Sequence, residues 1–189
     1  MARYDDIRKR IKALHVYAGP WAGTVYRSCA VEHSRRSDLL TGIGAGKNGG
    51  RWNPRGVKAV YASLAPDTGM AEVLKTAYYS GFAPSEFMPR VFVGIKVSLS
   101  KVLDLTDGRI RQMLRMSLQR MREEDWIKVQ LAGGEAFTQQ VGRAAMESGL
   151  EGIIAASAAD PQGRNLVWFP DNLTASSKVV ICNADAFPE

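Results

Sequence analysis

An α+β fold, a single domain of mixed β-sheets with flanking helices, is predicted on three observations. Segments with strand alternation and segments with helical spacing do not alternate strictly, which argues for mixed or antiparallel pairing rather than a doubly wound parallel sheet. The 189 residues suit one domain of ordinary size, and no repeat, low-complexity tract or linker divides them. Hydrophobic residues make up 46% and charged residues 23%, the balance of a chain that buries a core.

Taken in order, Asp5 to Leu14 reads as a short helix. Thr24 to Cys29 is a strand whose alternation puts Val25, Arg27 and Cys29 on one face. Residues 32–56 are polar and glycine-rich without periodicity, and read as one long loop, a length that is usually functional. Val57 to Ser63 is a second strand. A helix capped by Asp67 or Thr68 runs to about Tyr79, with Met70, Val73, Leu74 and Ala77 as its buried stripe and Glu72 off it. Arg90 to Val97 alternates strongly, and Val102 to Leu105 makes a short strand. Arg109 to Gln130 is helical, with Ile110, Met113, Leu114, Leu118 and Met121 at helical spacing. Phe137 to Glu147 is a further helix, ended by Gly149. Gly152 to Ala156, Asn165 to Phe169 and Lys178 to Cys182 are the closing strands.

Composition narrows the function classes. No apolar run is long enough to span a bilayer, and the basic segment Met1 to Lys12 leads into no apolar stretch, so neither a membrane partner nor a signal peptide is expected. Cys29 and Cys182 lie outside any C-x-x-C spacing and are expected as buried, reduced thiols in the cytoplasm. His15 and His33 are the only imidazoles, and neither pairs with a ligand at metal spacing, so no metal is expected. A net charge of +6 suits nucleic acid, an anionic small molecule or an acidic protein alike.

Several motifs fail in context. Gly44-Ala45-Gly46-Lys47-Asn48-Gly49 matches G-x-G-x-x-G by letter, but no strand precedes it and no helix follows. Thr41 stands where a P-loop needs its first glycine. Ser157 lacks the G-x-S-x-G frame.

What remains is Arg27, Arg51, Tyr61, Glu72 and Ser157. Arginine offers a planar fork of donors that fits phosphate oxygens, and two arginines fit a diphosphate. Tyrosine gives a face for a flat ring. A carboxylate holds ribose hydroxyls and stabilises an oxocarbenium-like transition state. When the leaving group is already cationic, as nicotinamide is in a dinucleotide, one carboxylate is enough. Each residue also has an ordinary structural reading: Arg27 as an edge or ion-pair residue, Arg51 as solvated loop, Tyr61 as core, Glu72 as a favourable charge near a helix start, Ser157 as a strand end. The set points to a ligand.

The same residues carry a resemblance. Val25-Tyr26-Arg27, Gly49-Gly50-Arg51-Trp52-Asn53 with Gly56, Val60-Tyr61-Ala62-Ser63 and Ala71-Glu72 come first. Thr138-Gln139-Gln140-Val141-Gly142 and Gly152-Ile153-Ile154-Ala155-Ala156-Ser157 follow, then Asn165-Leu166-Val167-Trp168-Phe169. In this order they resemble the RES-domain family, named for its Arg, Glu and Ser, over a core of about residues 23–182 within a single domain of 1–189. The resemblance implies a fold similar to that of the ADP-ribosyltransferases and a toxin of a bacterial toxin–antitoxin pair that consumes NAD+ by hydrolysis or phosphorolysis. It implies no cofactor beyond NAD+ as substrate. The implied partner is an Xre-type antitoxin that blocks the pocket, with nucleic acid reached only through that antitoxin; a homo-oligomer is left open. Glu72 and Arg27 would be catalytic, with Glu72 stabilising the ribosyl cation. Arg27 and Arg51 would hold the phosphates or ribose, Tyr61 would pack on nicotinamide, and Asn53 and Ser157 would complete the binding set. Ala156 before the serine and Ser28 after the arginine depart from the family's usual residues. The helical segment of about 106–132 looks like an addition to a minimal domain.

Two alternatives stand beside this expectation. One is protein ADP-ribosyl transfer. The other is a basic nucleic-acid-binding protein without catalysis, supported by the net charge, the arginines between Arg109 and Arg122, and Trp21 and Trp52 read as exposed.

Overall fold

Six strands and eight α-helices are seen in a computed structural model that describes residues 2–187, so the predicted domain limits at 1 and 189 lie outside the described residues. The strands are β1 (Gly19–Ala30), β2 (Val60–Ser63), β3 (Arg90–Asp104), β4 (Gly152–Ala156), β5 (Arg164–Trp168) and β6 (Lys178–Ile181). The helices are α1 (Ala2–Ala13), α2 (Arg36–Leu40), α3 (Ile43–Asn48), α4 (Pro66–Tyr79), α5 (Gly108–Leu114), α6 (Leu118–Glu123), α7 (Trp126–Leu131) and α8 (Phe137–Glu147).

Five strands close a ring. β1 lies antiparallel to β3, from Ala30 opposite Arg90 to Gly19 opposite Val102. The far end of β3 pairs in parallel with β4, which pairs antiparallel with β5, which pairs antiparallel with β2. β2 returns to β1 through one residue pair, Tyr26 opposite Ser63. β6 adds to the free edge of β3. Side-chain alternation then builds two cores. Val25, Val60, Ala62, Val93, Ile95, Val97, Leu99, Leu166 and Trp168 form one core. The alternate positions Tyr61, Ile153, Ala155, Val167 and Phe169 join a second core with residues of α1, α5, α6 and α8. The sheet and its flanking helices are the α+β arrangement expected from the sequence.

Several elements differ from the sequence reading, each for a local reason. The expected loop of 32–56 contains α2 and α3, short helices whose glycines and polar residues hide their periodicity; Gly42, at φ +67°, turns the chain between them. The two strands expected at 90–97 and 102–105 are one, because β1 pairs with β3 from Arg90 to Val102, across the expected gap. β1 starts earlier than expected, at Gly19, and β2 starts later, at Val60. The single helix expected over 109–130 is three. Arg115 sits in the left-handed region at φ +53°, and Ser117 and Asp125 turn their side chains onto the backbone N–H groups of Arg120 and Lys128 to start new helices. In α4 the buried side is Gly69, Val73 and Ala77, while Met70 is exposed, as is Met113 of α5. Cys29 is buried, whereas Cys182 is half-buried. Among the described residues, no helix is long and apolar enough to cross a membrane.

Candidate functional site

Glu72 lies on the flank of α4, one residue before the buried Val73, and its carboxylate is held asymmetrically. Oε1 accepts hydrogen bonds from Ser157 Oγ at 2.6 Å, Asn165 Nδ2 at 2.8 Å and the Ala158 N–H at 3.3 Å. Among the described residues, Oε2 has no hydrogen-bond partner, and Glu72 lines open cavity. The donors are themselves aimed. Ser157 is fully buried after β4, and its oxygen accepts the Ala159 and Asp160 N–H groups at 3.0 Å each, so its proton goes to Glu72. At the start of β5, Asn165 accepts the Ser63 hydroxyl on Oδ1 at 2.8 Å, which turns its NH2 group toward Glu72. Charge-assisted bonds of this kind are roughly twice as strong as neutral ones and fix the carboxylate in place.

The glycine-rich segment forms a tight turn. Gly50 and Asn53 exchange backbone hydrogen bonds across Arg51 and Trp52. Gln139 of α8 donates to the carbonyls of Gly50 and Asn53 at 3.1 and 3.4 Å. Trp52 is buried in the helical core, and its carbonyl lies where a Cβ on Gly142 would come within 1.7 Å, so α8 requires glycine there. Asn53, also fully buried, donates to the Ala45 and Val57 carbonyls and accepts the Tyr61 hydroxyl at 2.6 Å. That hydroxyl in turn accepts the Trp52 N–H at 2.9 Å. Gly50 is held to glycine as well, since a Cβ there would sit 2.5 Å from the Tyr61 hydroxyl. Burial pushes the Tyr61 phenol well above its ordinary value.

Two adjoining cavities meet at Glu72. The larger, about 640 Å³, is lined by Arg51, Tyr61, Glu72, Lys75, Tyr79 and residues 122–127, so the α6–α7 region forms one wall. The smaller, about 280 Å³, is lined by Arg27, Tyr61, Glu72, Phe87, Arg90 and Asn165, among others. Arg51 donates to the carbonyls of Met121 and Glu124 at 3.3 and 2.8 Å, and Arg27 donates to the Tyr61 carbonyl at 2.9 Å. Burial lowers both guanidinium pKa values, with Glu72 opposing this at Arg51.

Four of the six predicted residues, Arg27, Arg51, Tyr61 and Glu72, line these cavities. Ser157 stands behind Glu72 and Asn53 behind Tyr61; both are fully buried and act on the neighbour that faces the cavity. Asn165 and Arg90, which also line the smaller cavity, lie outside the predicted set. Each is a polar residue at the start of an apolar strand, and Asn165 also begins one of the segments that carry the resemblance. Trp52 is buried and Trp21 half-buried, not exposed as read from sequence, which removes the stacking surface invoked for nucleic acid. Arg111 and Arg122 are bonded to the Thr106 and Pro161 carbonyls. Among the described residues, no group of three or more His, Cys, Asp or Glu side chains is placed to hold a metal.

This chain is similar to the NAD(+) phosphorylase MbcT of Mycobacterium tuberculosis and of Mycobacterium bovis, at 28% identity over 120 residues. The match covers 62% of this chain and 62% of each relative, so it spans less than two thirds of their length. In fold it is similar to a chain of the M. tuberculosis MbcT–MbcA toxin–antitoxin complex, with TM-score 0.75 and 23% identity over 95% of this chain and 90% of that one. The model of the RES domain matches residues 24–187, which includes every residue of the site just described; the chain belongs to the RES domain family.

Proposed function

We propose that this protein is an NAD+-consuming enzyme that cleaves the bond between nicotinamide and ribose. One observation carries the reading: a carboxylate with one oxygen locked by three donors and the other unpartnered among the described residues, at the junction of two arginine-bearing cavities. In NAD+ the nicotinamide nitrogen is cationic, so the C1′–N bond breaks with both electrons going to a neutral leaving group, and no general acid is required. The ribose is left as an oxocarbenium. Glu72 Oε2 faces that developing charge from a fixed position, a preorganised arrangement that costs no rearrangement in the transition state. Water or phosphate then attacks C1′, giving ADP-ribose with loss of a proton or ADP-ribose 1″-phosphate. Ser157, Asn165 and the Ala158 N–H hold the carboxylate and Ser63 orients Asn165, while Asn53 holds Tyr61 as a wall shared by both cavities.

The relatives named NAD(+) phosphorylase, and the fold shared with a toxin–antitoxin complex, support a toxin restrained by an antitoxin; an Xre-type partner and an ADP-ribosyltransferase-like fold follow from the family resemblance. Two free cysteines fit the reducing cytoplasm. We read the described residues as a single domain, in which residues 122–127 of the 106–132 segment wall the larger cavity. Incubation of the purified protein with NAD+, with and without phosphate, tests the reading by chromatography of nicotinamide and the ribosyl product. Nicotinamide release is expected, with the product identifying the acceptor. No release in either condition overturns the reading, and label transferred to protein would reassign it to ADP-ribosyl transfer.

A further inference from the structure

The smaller cavity contains a second arginine that the cleavage chemistry does not use. Arg90 opens β3 opposite Ala30, and its Nε donates to the Ser28 hydroxyl at 2.8 Å. Its guanidinium lies 4.9 Å from the centre of the Phe87 ring. Arg27, on the neighbouring strand, lines the same cavity, and among the described residues its buried Nε has no hydrogen-bond partner. Among the described residues, neither arginine has a carboxylate within ion-pair distance; Glu32 acts on Arg90 only from farther away. Two half-buried guanidinium groups therefore share about 280 Å³ without a counter-ion. Burial lowers the pKa of each, and the charge of Arg90 lowers that of Arg27 further. Such a pair is costly unless an anion joins it.

Arg51 is placed differently. It lines the other cavity, and its NH1 is occupied by two backbone carbonyls. We propose that Arg90, with Arg27, forms a cradle for the diphosphate of the dinucleotide in the smaller cavity. Arg51 instead braces the wall of the larger one. This inference rests on the NAD+ reading and refines it, because the sequence alone had paired Arg27 with Arg51. Ser28 has a part in it. Its hydroxyl accepts the Arg90 Nε–H, and among the described residues the two terminal nitrogens of Arg90 have no hydrogen-bond partner, so they are available to an anion in the cavity that Arg90 lines.

The test uses the full chain with Arg90→Ala and Arg90→Gln, NAD+ kinetics and calorimetric titration with inorganic pyrophosphate. Loss of a charge-assisted fork is expected to raise KM for NAD+ by roughly tenfold to a hundredfold while kcat stays within about threefold. Pyrophosphate affinity is expected to fall by a similar factor. Arg90→Gln keeps a donor for Ser28, which guards against a folding artefact. Unchanged KM and pyrophosphate affinity in both variants, with wild-type turnover intact, overturns the cradle and leaves the NAD+ reading standing. Arg90-dependent pyrophosphate binding by a wild type that releases no nicotinamide supports the cradle and sinks the NAD+ reading instead. A rise in KM from Arg51→Ala with none from Arg90→Ala returns the diphosphate to Arg51.

Discussion

Replacing Glu72 by Gln separates charge from scaffold in a way the structure makes quantitative. The amide oxygen takes the place of Oε1 and still accepts from Ser157, Asn165 and Ala158, while the NH2 group takes the place of Oε2, which has no partner to lose. Three charge-assisted bonds become neutral ones at about half the strength, so the fold loses roughly 2–4 kcal/mol. For a chain of this size that lowers Tm by about 4–16 °C. The reaction loses at least as much. A full charge about 4 Å from the developing cation, at an effective dielectric constant of about 20, contributes about 4 kcal/mol. That corresponds to a fall in kcat of roughly 10²–10³-fold. Nicotinamide release at saturating NAD+, run beside a thermal melt, reads both numbers. A variant that melts like the wild type and keeps kcat within about tenfold would refute the role given to Glu72.

Three further outcomes follow from the packing. Tyr61→Phe keeps the ring but leaves Asn53 Oδ1 and the Trp52 N–H unpaired, so chemical denaturation should show a loss of about 1–3 kcal/mol. Gly142→Ala forces a methyl onto the Trp52 carbonyl; a loss of at least about 1–3 kcal/mol is expected, with reduced NAD+ turnover although Gly142 lines neither cavity. Glu124 caps α8 by accepting the Phe137 and Thr138 N–H groups at 3.1 and 2.7 Å. Burial pushes its carboxyl up, but those bonds and Arg120 outweigh burial and leave it below its ordinary value. The folded state therefore binds this proton less readily than the unfolded one. Its contribution is complete above the unfolded carboxylate pKa of about 4.3 and is lost as pH falls toward the lower folded value. Denaturation midpoints of the wild type should drop more steeply below about pH 4.3 than those of Glu124→Gln.

Strand alternation was legible wherever one face meets a core: Val91, Val93, Ile95 and Val97 announced β3, and Phe137 to Glu147 announced α8 to the residue. Side chains whose chemistry is unusual for their setting were legible too, and Arg27, Arg51, Tyr61 and Glu72 do line adjoining cavities. The sequence did not reveal which polar residues meet the ligand and which support another side chain. Asn53 and Ser157 read as binding residues because amides and hydroxyls look alike in either role; only burial separates them. Asn165 and Arg90 stood at strand starts, where a polar residue is ordinary, and their meaning depends on register with β2 and β1. The three-helix break was hidden because apolar spacing persisted across Arg115 and Asp125 while local capping ended the helices.

The ring of strands is closed at one point by little more than the pairing of Tyr26 with Ser63. Everywhere else its ladders extend over three or more residue pairs. This thin seam borders the smaller cavity, between the strand that carries Arg27 and the one that carries Tyr61. Amide protons there should exchange with solvent sooner than those of β3 or β5, because local opening breaks the fewest bonds. A ligand held by both strands would slow that exchange, so its presence should register as added rigidity along the seam before any change of shape.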